Sequence, residues 1–410
     1  MRNNLSPPNR ERGQAIVLIM AILMLAAGTV VVLYNTAQTA TEKTRLVNAV
    51  DAAAYSGAIW TARNLNFMAY TNRAMIANHV AVGHFVSYMS WIRYMEDSTD
   101  KLDTVGTILS VIPYVGPAIK KVTQMLERYA GILERGTEQF GKVYVPMSDG
   151  LNSGLSIAQL AAKASMGAST DLGFLSTPLH GVMEHAAKQY TESESIKVNH
   201  PQELLSLDGA LSGAQITSEL VEIFNFTKRY SPADDSGKMK GLVDASLGPS
   251  REWIDDRDWS LSLLGIIKLK KQSSNNHSMG RLSDWQESDR LRYKWPGGKW
   301  KTLASGSASA SEFDRNYEGI PRYYDLEDRS PNEQRRLTVS AYATMPISEA
   351  RIMDLMGMRT TTTQMAAVSR AEIVHVRPPT PAFATVGEGE YSNVFNPFWE
   401  GRLTRNILGL

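Results

Sequence analysis

The chain has 410 residues and a net charge of +1, from 43 Lys and Arg against 42 Asp and Glu. A balance this even sets up no global field that would draw nucleic acid or acidic partners. Cysteine is absent, which excludes disulfides, zinc–thiolate sites and a cysteine nucleophile, and suits an oxidising compartment where stray thiols are a liability.

Residues 1–12 are polar, carry Pro7-Pro8, and read as a flexible cytoplasmic tail. Residues 13–36 read as a transmembrane helix. From Gly13 to Thr41 there is no Asp, Glu, Lys or Arg, and the run from Ala15 to Tyr34 is interrupted only by Gly28 and Thr29. At about 1.5 Å per residue such a run makes a helix of roughly 30 Å, the thickness of a bilayer's hydrocarbon core. Helices of soluble cores rarely stay apolar on every face for that length. Arg2, Arg10 and Arg12 precede the span against Glu11 alone, which predicts a cytoplasmic N-terminus and an exported remainder. A cleaved secretory signal is the alternative, but the apolar run is longer than a usual signal core and no small-x-small site closes it cleanly.

Residues 37–230 are expected to form an extracytoplasmic helical region. From Ala37 to Met95 there is no Pro, and Gly57 and Gly83 stand isolated. Leu65, Met68, Asn72, Met75, His79, Val82, Val86 and Met89 step by alternating three and four, a heptad seam. The seam predicts a partner helix, in the same chain or in another subunit. Asn72 and His79 lie one heptad apart within it. They read as polar seam residues that bond to a neighbour and fix register; a metal site would need further ligands, and His84 faces elsewhere. Val111 to Pro117 predicts a turn between antiparallel helices. A second seam follows through Ile119, Val122, Leu126, Tyr129, Leu133, Phe140 and Val143, with Gly136 in one position. The two seams predict an αα hairpin. Pro146 and Gly150 are expected to end its second helix, with shorter helices over 151–166, 178–190 and 211–226.

Around Pro232 to Gly237 the pattern changes to alternation, and residues 238–390 read as an α+β, strand-rich domain. Strands are expected over 263–271, 290–295, 299–304, 336–344 and 371–377. Pro296-Gly297-Gly298 is a hairpin turn signal. The Ser/Ala/Gly stretch 305–311 reads as an exposed loop. Residues 391–410 form an aromatic tail that either packs back on the sheet or docks elsewhere. The expected fold class is thus α+β: one N-terminal transmembrane helix continuing into a long helical hairpin, followed by a mainly antiparallel sheet domain.

No motif supports chemistry. His180 and His185 are five residues apart and fit neither H-E-x-x-H nor H-x-x-E-H, so they read as an exposed helix face rather than a zinc site. Asp258-Trp259-Ser260-Leu261-Ser262 matches a D-x-S-x-S metal motif, but its apolar strand follows the motif instead of preceding it; the serines read as the outer face of a strand. Asp325, Glu327 and Asp328 read as a solvated loop. Gly136 to Val143 misses the phosphate loop in its last residue, which lacks the hydroxyl for Mg²⁺. The expectation is a non-enzyme without cofactor or metal.

Two stretches carry a family likeness. Arg12-Gly13-Gln14-Ala15 opens the apolar helix, and RLVNAVDAAAYSGA follows it from Arg45 to Ala58, with Asp51, Ala52, Ala53 and Ala54 at its centre. Together, over about residues 10–60, they resemble the N-terminal module of TadE/TadG-type proteins of Tad (tight-adherence) or Flp pilus assembly. The tail Tyr391 to Trp399 also looks like the close of some larger members. The resemblance implies a bacterial inner-membrane protein serving Flp-pilus assembly or a related secretion system, with no enzyme activity. Its implied partners are the inner membrane and other pilus-assembly or secretion proteins. The helix seams add a possible homo-oligomer, while nothing points to nucleic acid or a small-molecule substrate. Arg12-Gly13 also looks like a type IV prepilin junction, with cleavage between Gly13 and Gln14. Prepilins usually carry Glu at the fifth position after the Gly to dock a neighbour's terminal amine; here that position is Leu18. A membrane-tethered adhesin or ligand-binding module is the alternative reading.

Overall fold

The structure, a computed structural model, describes residues 12–109, 116–167, 178–191, 195–204, 210–230, 236–247, 254, 257–263, 267–324, 336–346, 364–376 and 392–404. Its axis is α1 (Arg12–Leu109), one unbroken helix of 98 residues. The absence of Pro and the isolation of Gly57 and Gly83 explain its continuity. At its start the apolar side chains lie open: Ile16, Leu18, Met24 and Leu33 are 61 to 70% exposed. This is a helix long and apolar enough to cross a membrane. From Leu46 onward the same helix is wrapped by the rest of the chain, and Leu46, Ala49, Val50, Ala53, Ala54 and Ala58 are buried.

α2 (Gly116–Ser165) runs antiparallel beside α1. The Trp60 indole donates to the Ser165 carbonyl at 3.2 Å, Gln159 meets Thr71 and Asn72, and Asn152 meets Asn78. At the far end Arg93 lies 3.4 Å from Glu134. The expected hairpin is therefore present, although its turn lies outside the described residues. Its second helix does not stop at Pro146 or Gly150; it passes through both. Proline removes one backbone donor and crowds the preceding turn, but Val145 and Ser148 on either side are buried, and that packing holds the helix together across the defect.

α3 (Pro178–Thr191) crosses α1 where Met183 presses on Gly57. Then come β1 (Lys197–Val198), α4 (Pro201–Leu204), α5 (Ala210–Phe226), β2 (Arg229–Tyr230) and α6 (Ser236–Leu247). The strand-rich part contains β3 (Trp259–Leu263), β4 (Ile267–Ser278), β5 (Asp284–Lys294), β6 (Lys301–Ser309), the short helix α7 (Ala310–Phe313), β7 (Tyr323–Tyr324), β8 (Leu337–Pro346), β9 (Gln364–His375) and β10 (Trp399–Leu403). Two four-stranded antiparallel sheets result, β1-β8-β9-β10 and β3-β4-β5-β6, with β2 and β7 as a separate pair. The Pro296-Gly297-Gly298 turn joins β5 to β6, with the Gly298 amide donating to the Trp295 carbonyl at 3.0 Å.

The stretch 305–311 is not an exposed loop. Ser305 to Ser309 complete β6, and α7 follows. Its small residues serve close approach: a β-carbon on Gly306 would run into the Tyr94 backbone nitrogen and the Ser90 carbonyl oxygen. Both sheets thus sit on α1 in series. β10 lies near Ala58 and β6 near Ser90 to Tyr94, where Gly401 and Gly306 face the helix backbone. One continuous apolar core joins α1, α2, α3, α5 and α6 to both sheets.

Candidate functional site

Arg12, Gly13 and Gln14 are the first helical residues of α1, and Ala15 is exposed just beyond them. Asp51 and Ala52 are half-buried, while Ala53 and Ala54 lie fully inside the core. Small side chains there let other elements come close to the helix. Downstream at Gly401, a β-carbon would meet the backbone of Ala58 and Ile59 at 2.9 to 3.0 Å.

All eight residues of the α1 seam are buried. Their cover is not one helix but a mixture of α2, loops and strands. Asn72 donates from Nδ2 to the Val394 carbonyl at 2.8 Å and accepts from Gln159 Nε2 at 2.6 Å. Met75 offers its carbonyl to Asn152, which also donates to the Gly319 carbonyl at 2.6 Å. His79 Nδ1 lies 2.7 Å from the Tyr317 hydroxyl. The His79 ring packs against Trp285 at 5.1 Å, and Trp285 in turn stacks on His277 at 4.5 Å. Burial pushes the His79 pKa down to about 3, and nearby His277 adds to the effect. Its Nε2 has no hydrogen-bond partner among the described residues. Val82 completes this wall, fully buried.

Further along the helix, Asp289 of β5 is wholly buried and accepts from three sources. Lys271 donates at 2.6 Å, Arg257 at 2.9 and 3.3 Å, and the Ser90 hydroxyl of α1 at 2.8 Å. With every lone-pair direction used, this cluster is a fastener between sheet and helix rather than an open site.

α2 shows the largest departure from the sequence pattern. Its apolar stripe faces largely away from α1, although the Phe140 ring still lies 5.9 Å from that of Phe85. Tyr129, Ile132, Leu133, Phe140, Val143, Met147, Leu151, Ile157 and Leu160 are 53 to 69% exposed. Ile119, Val122 and Leu126 lie outside the residues whose side chains are described. Instead α2 turns inward a row of small and polar residues: Gly141, Val145, Ser148, Asn152, Ser156, Gln159 and Lys163 are buried. This inner row steps by three and four as regularly as the outer one. It escapes a search for hydrophobic periodicity because its contacts are hydrogen bonds and close approach. Lys163 is typical: Nζ donates to the Thr227 carbonyl at 2.8 Å above the Phe224 ring, and burial brings its pKa down to about 8.

The remaining candidates resolve into structural roles. His180 is not on an exposed face; it is buried with Nε2 2.9 Å from the Val198 carbonyl oxygen, whereas His185 is exposed beside Gln189. Asp258 accepts from the Ser273 amide at 2.6 Å and hydroxyl at 3.1 Å, and Ser260 and Ser262 lie on the exposed face of β3. Asp325, Glu327 and Asp328 fall outside the described residues. Among the described residues, no group of three or more His, Asp and Glu is placed to hold a metal ion. A shallow polar concavity of about 580 Å³ opens over β4, β5 and β6. Arg93, the only cation lining it among the described residues, is already engaged by Glu312 at 2.5 and 2.9 Å and by the Ser307 carbonyl at 2.8 Å. In the tail, Phe395 and Trp399 are buried, and Trp399 packs edge-on to Phe226 and His375. These aromatics therefore close the fold, with Phe398 left partly open at 37%.

Among the described residues, Asn72, His79, His180 and Asp289 are thus buried in packing and hydrogen bonds, while α2 presents a long apolar outer face. Comparison of the chain with protein-family models, with characterised proteins and with solved structures finds no match.

Proposed function

We propose that the chain is a membrane-anchored structural component of Tad/Flp-type pilus assembly or an associated secretion system. It acts by helix packing and protein–protein contacts and performs no chemical step. The N-terminus lies in the cytoplasm, the span crosses the inner membrane, and the folded bulk stands in the periplasm. One observation carries the reading: a single helix is lipid-compatible at one end and is the core axis of the folded domain at the other. With no break between the two, a force or tilt applied to the domain passes directly to the anchor. The Arg12 to Ala15 start and the Asp51 to Ala54 motif support the Tad/Flp assignment.

The test is deletion of the chain in a bacterium that makes it, with surface pili, adhesion and secretion as readouts. Loss of pili or of secretion, restored by the full chain but not by one lacking residues 13–36, is the expected result. A deletion strain in which all three stay intact would overturn the proposal. Labelling of single introduced cysteines from the periplasmic side checks the orientation, since the native chain offers no competing thiol.

A further inference from the structure

Resting on the anchored-component reading, we infer that the outer face of α2 pairs with the same face of a second copy, side by side, parallel and in register.

The face is unusual for a surface helix. Between Val143 and Ala161 its exposed positions carry no charged residue. Nine large side chains lie more than half open along α2; at about 100 Å² apiece this is close to the ~800 Å² per partner of a stable interface. The stripe steps by three and four, the period that lets one helix follow another. Gly136, Gly150 and Gly154 fall on the same stripe, and a β-carbon on any of them would meet nothing within 4 Å. A second backbone has room to come close there.

The identity of the occupant follows from height. Gln159 is level with Asn72 on α1, and Gly131 is level with Glu96. The stripe therefore begins about 38 residues beyond Tyr34, which at 1.5 Å per residue is roughly 55 Å along α1 from the end of the span. Even a tilt of about 40° leaves it some 40 Å from the bilayer, so lipid does not cover it. Two copies anchored by the same span carry the stripe at the same height and in the same direction. Every stripe residue then meets its own counterpart across a two-fold axis along the membrane normal. Sharing one membrane also raises the effective concentration of one copy at the other. Charge does not oppose the pairing: Arg128, Arg135 and Lys142 repeat every seven residues along one edge, off the stripe.

Because the chain has no cysteine, one introduced thiol reports one position. Val143→Cys, on the stripe, and Lys142→Cys, beside it, are made in the full chain in its native membrane. A short bis-maleimide is then added. The expected result is a product of twice the 45.3 kDa chain mass for Val143→Cys and at least tenfold less for Lys142→Cys. Both changes are at exposed positions, so the fold is preserved. Adding Met147→Glu to the Val143→Cys chain should abolish the product. A product with a different protein, or none, overturns the pairing, and so does equal crosslinking at both sites. The outcome is separable from that of the assembly reading. A chain that never crosslinks to itself, yet whose deletion removes pili, sinks only the pairing. Self-crosslinking with pili and secretion unaffected by deletion sinks only the assembly role.

Discussion

The indole of Trp285 lies so close to Gly83 that a β-carbon on the glycine would stand 2.9 Å from the ring. Trp285 is fully buried, so the ring has nowhere to retreat. Gly83 thus sits mid-helix at an intrinsic cost of about 1 kcal/mol relative to Ala because β5 must reach α1 there. Gly83→Val should destabilise the full chain by about 2–3 kcal/mol through overpacking, while Gly83→Ala recovers part of that in helix propensity. Gly181→Ala in α3, with open space around it, should instead stabilise by up to about 1 kcal/mol. Urea midpoints in detergent give the comparison. A Gly83→Val chain as stable as the native one would mean that β5 does not rest on this point.

Asp289 holds two buried cations and a helix hydroxyl; its loss leaves Lys271 charged in the core without that carboxylate, while Arg257 keeps Glu287 at 3.6 Å. Asp289→Ala should cost about 3–5 kcal/mol, because an uncompensated buried charge is worse than none. Adding Lys271→Met removes the charge that Asp289 had neutralised and should recover a substantial part of the loss. The double-mutant cycle reads this directly. Simple additivity would mean that the two residues do not interact as their 2.6 Å separation implies.

Where the sequence pattern succeeded and where it misled has a common physical cause. The α1 seam was legible because its eight residues are periodic and buried and six of them are apolar. α2 has two periodic faces, and the apolar one was the natural choice for the inside. The structure buries the other, since Asn152 and Gln159 find carbonyl and amide partners on α1 that no spacing rule reveals. The same ambiguity hid the end of β6: Ser, Ala and Gly mark a loop when they face water and a close contact when they face a helix. Gly306 does the second. The fastener at Asp289 depends on Arg257, Lys271 and Ser90, which lie far apart in sequence and meet only in the fold.

Asn66 secures the closing strand with three hydrogen bonds. Its Oδ1 accepts from the Phe398 and Trp399 amides at 2.9 Å each, and its Nδ2 donates to the Trp399 carbonyl at 3.0 Å. Phe398 has φ 91°, a left-handed conformation that a bulky residue adopts only under constraint. Asn66→Ala should cost about 2–3 kcal/mol by orphaning these groups, and should free β10 from β9 before the rest unfolds. Phe398→Gly relieves the backbone and should narrow the loss when combined with Asn66→Ala. Hydrogen exchange at residues 399–403 distinguishes local from global loosening; unchanged protection there in Asn66→Ala would refute the assignment.

His79 should make the fold acid-sensitive. Its folded pKa of about 3 lies below the 6.5 of the unfolded chain, so between these values the unfolded state binds the extra proton. The stabilisation from keeping His79 neutral is complete above about pH 6.5 and falls away as pH drops toward 3. From pH 6.5 to 5 that is a loss of about 2 kcal/mol. Glu96 works in the opposite sense. Its hydrogen bond to Glu134 leads the causes that raise its pKa to about 7, so its contribution is present below about 4.5 and lost as pH rises through 7. Its side chain is half-buried rather than sealed in the core, and solvent screening leaves that term the smaller. The His79→Phe chain isolates the histidine. Loss of the bond to Tyr317 should lower stability at pH 7.5, but the decline between pH 6.5 and 5 should become shallower by about the amount His79 contributed. An acid limb of the same slope in both chains would show that His79 does not stay neutral in the folded core.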